Sequence, residues 1–349
     1  MKRIPLVECC EILDSQRIPI TAKDREEGPY PYYGANGVQD YVADYIFDDD
    51  LVLLAEDGGN FGSKERPIAY RVSGKCWVNN HAHVLKPAAE TDVDYLCYAL
   101  MFYDTSGLVN GATRQKLTQA AMRQMTIPLN SIEDQRIIVR KIKAVEQIKK
   151  QRKTQLEALD ELIKARFVEM FGDPVHNDKS WETDTVENLC KEIYGGGTPS
   201  KSHQEYYDNG DIPWVSSKDM KSDVISDSQI HITQLGVDNS TAKMVPINSV
   251  IMVIRSGILK HTLPVAINSV PVTVNQDLKV FIPGERILTR FLAIQFKMQE
   301  KDILSGVRAV TADNIEFNSL KQRHMIVPPI ELQQRYVSTL EQVDKSKLS

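Results

Sequence analysis

Hydrophobic and polar positions alternate in the middle of the chain in a pattern that predicts one very long helix. From Ile132 to Phe171 there is neither proline nor glycine, and Gly172-Asp173-Pro174 then supplies the glycine and the proline that commonly end a helix. The hydrophobic residues follow the alternating steps of a heptad, and a weaker heptad pattern from Glu331 to Ser349 predicts a second helix. The predicted coiled-coil seam consists of Ile138, Ile142, Val145, Leu156, Leu159, Ile163, Val337 and Leu340.

The two predicted helices differ in length. At 1.5 Å per residue the first would measure roughly 60 Å and the second roughly 28 Å. Because the chain stops inside the hydrophobic pattern of the second helix, we expect a shortened C-terminus. We also expect that four hydrophobic residues of the long helix lack a partner from this chain and are covered by another subunit, namely Leu156, Leu159, Leu162 and Ile163.

Short hydrophobic runs bounded by glycine, proline or asparagine predict β-strands on both sides of the long helix. A helical pattern follows these runs before each of the two terminal helices. Strands followed by helices in this way indicate an α+β fold. The strand runs are 51–55, 76–78, 249–254, 265–267, 272–274 and 278–282, and the helical patterns are 93–102 and 287–298.

The chain also contains an internal repeat. Residues 125–139 and 325–337 share β-like residues, a proline, an acidic first helical turn and a Gln-Arg pair, which is Gln135-Arg136 in the first and Gln334-Arg335 in the second. A fainter similarity joins Val7-Glu8 to Val186-Glu187. The offset grows from near 180 to near 200 positions, so the second copy carries about twenty extra residues. We infer two copies that share the segments at their beginning and end and differ in the residues between them.

Composition excludes several classes of protein. The 349 residues are 42% hydrophobic and 26% charged, with 18 glycines and 16 prolines, which excludes disordered and collagen-like chains. The five cysteines show no paired spacing and indicate reduced thiols in a cytoplasmic protein. We find no hydrophobic run long enough for a membrane span or a signal peptide. The net charge of −5 argues against a uniformly basic surface, but a local basic groove remains compatible with it.

Enzyme signatures are weak throughout the sequence. The segment from Gly58 to Lys64 lacks the glycine that a phosphate-binding loop needs before its lysine. The glycines at 195–197 lack the spacing of a dinucleotide site, and we expect instead a polar loop whose backbone can approach a ligand. His81 and His83 would share one face of a strand as two zinc ligands do, although a structural pair is favoured. The string 277–279 resembles half of a metal-dependent nuclease site. We therefore expect no catalytic residues, no metal and no cofactor, with a stand-alone metal-dependent nuclease or DNA-modifying enzyme as the alternative.

Loops rich in aromatic, amide and basic residues favour nucleic-acid binding instead. The stretch 30–37 combines three tyrosines with an asparagine, which can stack on bases and hydrogen-bond to adenine, or can equally form a corner over a core. Amide pairs beside strands fit base edges, or can bond their own backbone in turns. Hydroxyl and basic residues can position phosphates. The candidate DNA-binding residues are Tyr32, Tyr33, Asn36, Asn79, Asn80, Arg114, Lys116, Thr198, Trp214, Ser216, Lys218, Arg255, Lys260, Asn275 and Gln276.

These features together resemble the DNA-specificity subunit of type I restriction-modification systems. The resemblance rests on the order of globular domain, long helix, second globular domain and second helix, and on the strings 30–37, 53–58, 159–167, 170–173, 196–200 and 211–214. The repeated entry into the two helices is its most specific element, and the resemblance covers nearly the whole chain.

The resemblance implies two target recognition domains separated by long helices that form an antiparallel coiled coil, in a pseudo-two-fold repeat. The expected boundaries are 1–130 for the first domain, 131–172 for the central helix, 173–329 for the second domain and 330–349 for the C-terminal helix. Each domain would read one half of a bipartite, asymmetric double-stranded DNA target. The implied partners are two methyltransferase subunits and two motor-nuclease subunits, which hold the cofactors, so the chain itself would be non-catalytic.

Overall fold

The computed structural model describes residues 3–111, 114–306, 308–309 and 313–348. It divides into two compact units, Met1–Arg152 and Lys153–Ser349, and both contain strands and helices. The predicted α+β class is therefore confirmed. No helix in the described part of the chain is both long and apolar enough to cross a membrane.

Unit 1 is built on a six-stranded sheet in the order β2-β7-β5-β6-β3-β4, in which only β3 and β6 pair in parallel. Helix α2 packs on β5 and β6 and shares a hydrophobic core with them. The strands are β1 (Arg3–Pro5), β2 (Cys10–Ile12), β3 (Tyr30–Gly34), β4 (Gly37–Val42), β5 (Phe47–Ala55), β6 (Ala69–Val78), β7 (Ala82–Pro87), β8 (Val109–Asn110), β9 (Lys116–Leu117) and β10 (Thr126–Pro128); the helices are α1 (Leu6–Cys9), α2 (Val93–Met101), α3 (Gln119–Met122) and α4 (Ile132–Phe171).

Unit 2 uses a five-stranded sheet in the order β12-β19-β16-β17-β14, beside a three-stranded sheet in the order β15-β13-β18. The strands are β11 (Thr183–Thr185), β12 (Cys190–Gly195), β13 (Ile212–Val215), β14 (Val224–Ile225), β15 (His231–Ile232), β16 (Val250–Val253), β17 (Val265–Asn268), β18 (Thr273–Val274), β19 (Leu278–Pro283), β20 (Arg308–Ala309), β21 (Asp313–Asn314) and β22 (His324–Ile326); the helices are α5 (Val186–Leu189), α6 (Gln234–Asp238), α7 (Thr289–Met298), α8 (Glu300–Ser305), α9 (Phe317–Lys321) and α10 (Ile330–Leu348).

The two units repeat the same hydrogen-bonding frame, which confirms the predicted duplication. Strand β1 pairs with β10 just before α4, as β11 pairs with β22 just before α10. A buried glutamine then fixes each helix start. Gln135 accepts a hydrogen bond from Asp92 N and donates to two carbonyls, and Gln333 accepts from Leu288 N and donates to two carbonyls. The predicted match of Gln135 with Gln334 was therefore wrong by one residue, because Gln334 is exposed.

The long helix α4 has the predicted bounds, but its seam is covered unevenly. In the part that belongs to unit 1, Ile138 and Ile142 are half-buried and Val145 is 57% exposed. In the part that belongs to unit 2, Leu156 and Leu159 are half-buried and Ile163 is buried. Apolar contact with the rest of the chain therefore fades towards the middle of the helix.

Helix α10 packs against the second part of α4 within unit 2. The Tyr336 hydroxyl donates to the Ile163 carbonyl at 3.0 Å, and Lys347, later in α10, pairs with Asp160, earlier in α4, so the two helices run antiparallel. Val337 and Leu340 are buried in the same core as Ile163. We expected residues 156–163 to lack a partner from this chain. This expectation was wrong for Leu159 and Ile163, which pack in the core that contains residues of α10. Leu162 remains exposed.

Candidate nucleic-acid interface

Strands β6 and β7 of unit 1 are joined by a turn that Asn79 builds. Its side-chain oxygen accepts a hydrogen bond from His81 N at 2.8 Å, and its amide donates to Gln39 Oε1 at 2.9 Å. Its backbone N–H donates to Tyr33 O at 3.0 Å, which ties the turn to β3. Asn79 is only 3% exposed, whereas the next residue, Asn80, is exposed. Asn79 thus shapes the turn, and Asn80 is the amide that the turn presents.

The turn lines a cleft of about 360 Å³ on unit 1. Four of the predicted DNA-binding residues meet in this cleft although they come from separate parts of the sequence, namely Tyr32, Asn79, Asn80 and Arg114. The other lining residues are Pro19, Ile20, Thr21, Arg25, Gln39 and His81. The cleft therefore combines amide, cationic and aromatic groups, which is the composition suited to base edges and phosphates.

A network of ion pairs holds the basic residues around this cleft. Arg114 Nε lies 2.6 Å from Asp57 Oδ1, and His81 Nδ1 lies 3.4 Å from Asp57 Oδ2. Lys116 Nζ lies 3.2 Å from Glu56 Oε1. The Arg114 side chain is nevertheless 59% exposed, so its guanidinium keeps donors that can reach a ligand.

The tyrosine-rich stretch forms a hairpin between β3 and β4 rather than a single turn. Tyr32 is buried, its hydroxyl exchanges hydrogen bonds with the backbone of Ile20, and the Arg25 guanidinium lies 4.2 Å from its ring centroid. Tyr33 is half-buried, and burial raises its pKa. The exposed Asn36 donates to Gly58 O at 3.0 Å. The corner interpretation therefore fits Tyr32, and Asn36 is the exposed polar group of the hairpin.

The two histidines have separate surroundings, which does not suit a zinc pair. His83 is fully buried, with Nδ1 at 2.7 Å from Asp14 Oδ2 and Nε2 at 2.9 Å from Leu117 O. Burial acts to raise the pKa of Asp14, but hydrogen bonds from His83 and from other donors outweigh it, so this pKa lies below its ordinary value. Asp14, Glu56 and His83 lie close enough to share an ion.

Glu56 in that group is already neutralised, however, by Arg17 at 2.6 Å and by Lys116. Both ring nitrogens of His83 also have protein partners. Two cations beside the carboxylates disfavour a bound metal, so this group is better described as a structural ion-pair network.

Unit 2 builds the equivalent turn with Asn275. Its backbone N–H donates to Val215 O at 2.9 Å, as Asn79 donates to Tyr33, and its side-chain oxygen accepts from Asp277 N at 3.1 Å. Asn275 is buried and the next residue, Gln276, is exposed and hydrogen-bonded to the Thr198 hydroxyl. The same frame position therefore presents an asparagine in unit 1 and a glutamine in unit 2.

Charged residues occupy matching positions at this turn in the two units, but the sign of their charge differs. Arg255 N and Asp57 N occupy matching positions, since each donates to the third residue of its turn, Asp277 O and His81 O respectively. In unit 2 the Arg255 guanidinium lies 2.6 Å from Asp277 Oδ1. Unit 1 thus has an acid where unit 2 has an arginine, and unit 2 has an acid where unit 1 has a histidine.

Asp277 pairs with Arg255, whereas Lys279, the last residue of the nuclease-like string, has a different partner. Lys279 Nζ lies 4.6 Å from the centroid of the Phe317 ring, and burial lowers the pKa of this lysine. The geometry therefore gives no support to an acid and lysine pair acting on one metal-bound substrate.

The remaining candidates in unit 2 have mixed roles. Trp214 is buried, and its indole N–H donates to Gly197 O at 2.9 Å, so its ring packs inside the protein. The Ser216 hydroxyl donates to Asp219 at 2.8 Å in a turn that leaves Lys218 exposed. Lys260 is exposed at the end of a short helical turn.

The glycine-rich loop at 195–197 was expected to let the backbone approach a ligand. A Cβ added to Gly196 would lie 1.8 Å from Val274 O, and one added to Gly197 would lie 2.4 Å from the carbonyl carbon of Thr241. The glycines therefore allow the loop to pack against its own backbone, which is a correction to that expectation.

Sequence reasoning missed Gln39 and Asp57, which hold Asn79 and Arg114 in place. Each lies far along the chain from its partner, and although Asp57 falls within the string 53–58, nothing in that string identifies Arg114 as its partner. The match of Asp57 with Arg255 is visible only in the backbone hydrogen bonds of the structure, because the repeat found in the sequence does not include these positions.

Comparison with known proteins gives consistent matches. A family model described as "Type I restriction modification DNA specificity domain" matches residues 1–158 and 178–349. The "Type I restriction enzyme EcoR124I/EcoR124II specificity subunit" of Escherichia coli is 40% identical over 153 residues, which are 43% of this chain and 38% of that protein. A putative type I restriction enzyme specificity subunit of Haemophilus influenzae is 36% identical over 141 residues, 40% of this chain and 36% of that protein. The matched segments thus span well under half the length of either relative.

Solved structures match over a greater length. The crystal structure of a type I restriction-modification system S subunit from M. genitalium has a TM-score of 0.61 at 12% identity, over 99% of this chain and 90% of that chain. A chain described under "Structural basis underlying complex assembly and conformational transition of the type I R-M system" has a TM-score of 0.57 at 15% identity, with the same shares. At these identities the likeness shows the fold.

Proposed function

Because the chain belongs to the type I restriction-modification DNA specificity family, we propose that it recognises DNA sequence for a restriction-modification complex. Each unit reads one half of a bipartite, asymmetric target in double-stranded DNA. The chain itself carries out no bond-making or bond-breaking step.

One observation carries this proposal. The same backbone turn recurs in both units and presents different side chains to solvent, Asn80 beside Arg114 in unit 1 and Gln276 beside Arg255 in unit 2. Amide and guanidinium groups match the hydrogen-bonding edges of adenine and guanine in the major groove. A shared frame with different side chains is what two unlike half-sites require.

The structure also narrows the set of residues that we propose as DNA contacts. Asn79, Asn275, Trp214 and Tyr32 are buried and hydrogen-bonded within the protein, so they position the loops rather than touch bases. The exposed or half-exposed candidates remain, and they are Tyr33, Asn36, Asn80, Arg114, Lys116, Thr198, Ser216, Lys218, Arg255, Lys260 and Gln276.

The partners are part of the same proposal. The relatives in Escherichia coli and Haemophilus influenzae are described as specificity subunits of type I restriction enzymes. We place two methyltransferase and two motor-nuclease subunits on this chain, with residues 131–172 and 330–349 as the helical scaffold between target recognition domains 1–130 and 173–329. The exposed hydrophobic residues Val145 and Ile148 support a protein partner on α4.

Selection of bound sequences from a random duplex library tests the function. The full chain, free and with its methyltransferase partner, should enrich two specified blocks separated by an unspecified gap, and binding should weaken as salt rises. Incubation of the purified chain with DNA, Mg²⁺ and S-adenosylmethionine should leave the DNA unchanged. Cleavage or methylation by the chain alone would favour the enzyme alternative, and absence of any enriched block would refute DNA recognition.

A further inference from the structure

In each unit an exposed arginine forms an ion pair with an aspartate. The pair lies beside the exposed amide residue of the turn, which is Asn80 in unit 1 and Gln276 in unit 2. In unit 1, Arg114 comes from the loop before β9 and forms an ion pair with Asp57, which follows β5, with Nε 2.6 Å from Oδ1. In unit 2 the arginine takes the backbone position of Asp57, and its aspartate lies in the turn at the position of His81. Arg255 follows β16, and it bonds through Nε at 2.7 Å and Nη2 at 2.6 Å to Asp277 in the turn itself.

From this geometry we propose that Arg114 and Arg255 are specificity-determining residues that each read a guanine, one in each half of the target. This inference rests on the proposed function and deepens it. Asp57 and Asp277 are positioning residues, since they act by orienting the arginines rather than by touching the bases.

The hydrogen-bond inventory of the guanidinium supports this assignment. An arginine has five N–H donors. Asp57 lies against Nε of Arg114, and Asp277 accepts from Nε of Arg255 and lies 2.6 Å from its Nη2. Donors on the terminal nitrogens therefore remain, and a guanidinium fork matches O6 and N7 of guanine. The two side chains are 59% and 49% exposed, which leaves these donors accessible.

The carboxylates reduce the cost of ordering a long side chain. A free arginine loses rotamer freedom when it binds, whereas a side chain already held by an ion pair with a carboxylate has lost much of it beforehand. A phosphate contact would not need such fixed orientation, because phosphates are bound without sequence discrimination.

The two arginines occupy different positions in the same backbone frame, which explains how one frame reads two sequences. Asp57 and Arg255 occupy the same backbone position, since each donates its N–H to the third residue of the turn. In unit 1 the residue at this position, Asp57, holds an arginine from another loop. In unit 2 the residue at this position is the arginine itself, and it is held by Asp277 of the turn. We infer that each half-site contains a guanine and a base that the exposed amide contacts, and that the spacing between these two bases differs between the half-sites.

The test is library selection with the full chain and its partners, comparing wild type with Arg255→Ala. Wild type must first yield a bipartite motif, and a failure at this step counts against the proposed function rather than against this inference. With the motif in hand, R255A should lose one guanine preference in one block. The expected loss of discrimination is about ten- to a hundredfold, and the other block should not change.

A lysine variant and a base analogue separate base reading from phosphate binding. R255K keeps the charge but loses the fork, so it should bind with similar total affinity and a weaker guanine preference. Replacing that guanine by 7-deazaguanine should weaken binding of wild type and leave binding of R255A unchanged. Equal weakening on all sequences by R255A, with base preferences intact, would show a phosphate contact and overturn the proposal.

Matched controls come from arginines that pair with carboxylates away from the turns. Arg286 pairs with Asp184 in unit 2, and Arg71 pairs with Asp50 in unit 1. R286A and R71A should keep the wild-type motif, whereas R114A should lose a guanine preference in the block that R255A spares. Loss of preferences in both blocks by either R114A or R255A would also contradict the assignment.

Discussion

Replacing Gln333 by alanine should destabilise unit 2 far more than replacing its neighbour Gln334. The Gln333 side chain is fully buried, accepts a hydrogen bond from Leu288 N at 3.0 Å, and donates to Arg286 O at 3.0 Å and Pro328 O at 2.8 Å. Alanine removes all three bonds and leaves three backbone groups without this partner. At about 1 kcal/mol for each bond, the loss is about 3 kcal/mol. Gln334 is exposed, so its alanine variant should cost less than about 0.5 kcal/mol.

Hydrogen exchange of the Leu288 amide is the direct assay, because a chain of two units does not unfold in one two-state step. A loss of about 3 kcal/mol corresponds to about a hundredfold faster exchange in Gln333→Ala. Gln334→Ala should exchange at the wild-type rate. Equal rates in the two variants, or a faster rate in Gln334→Ala, would refute the register that the structure assigns to the repeat.

Three further predictions concern α10, unit 1 and α4. Tyr336→Phe removes the hydrogen bond to the Ile163 carbonyl and should cost about 1 kcal/mol, measured as a lower unfolding midpoint of unit 2; an unchanged midpoint would argue against α10 packing on α4. Since the pKa of Asp14 is lower in the fold, its contribution is present above its ordinary pKa of 3.8 and is lost as pH falls through the lower folded value, so Asp14→Asn should flatten the acid unfolding profile of unit 1. Removing one heptad between Ile138 and Phe167 shortens the helix by about 10 Å, so the tolerated gap between half-sites should change by about three base pairs; an unchanged gap would exclude the helix as a spacer.

The helices were predictable because their patterns are long and local. The absence of proline and glycine from 132 to 171, and the Gly-Asp-Pro stop, gave the bounds of α4 as the structure has them. The strand runs were also recovered, although β5 and β6 extend well beyond the predicted runs. Their added residues alternate between buried and exposed positions or carry charges, so hydrophobicity alone missed them.

The pairing of α4 with α10 was predicted, but its position was not. Two heptads of unequal length can align in several registers, and the sequence does not say at which end the shorter one begins. The structure resolves this through Phe167, Phe171, Phe291 and Tyr336, whose rings lie within 5.0 to 6.2 Å of one another. This aromatic cluster joins α7, α10 and the end of α4, and such long-range packing leaves no local signal.

The candidate site was predictable by residue type and not by role. Asn79 and Asn80 are adjacent amides, yet the first is buried in the turn and the second is exposed. Both interpretations of an asparagine beside a strand were open from the sequence, and the structure assigns one to each residue. The partners that hold Asn79, which are Gln39 and the Tyr33 carbonyl, depend on tertiary contacts.

Exchange of one unit between relatives tests the central claim most directly. Residues 1–125 of this chain would be replaced by the corresponding segment of a family member with a different target, and the methylated sequences of the host genome would be mapped. We predict that one half of the bipartite target changes to that of the donor and that the other half stays the same. A change in both halves, or in neither, would contradict the assignment of one half-site to each unit.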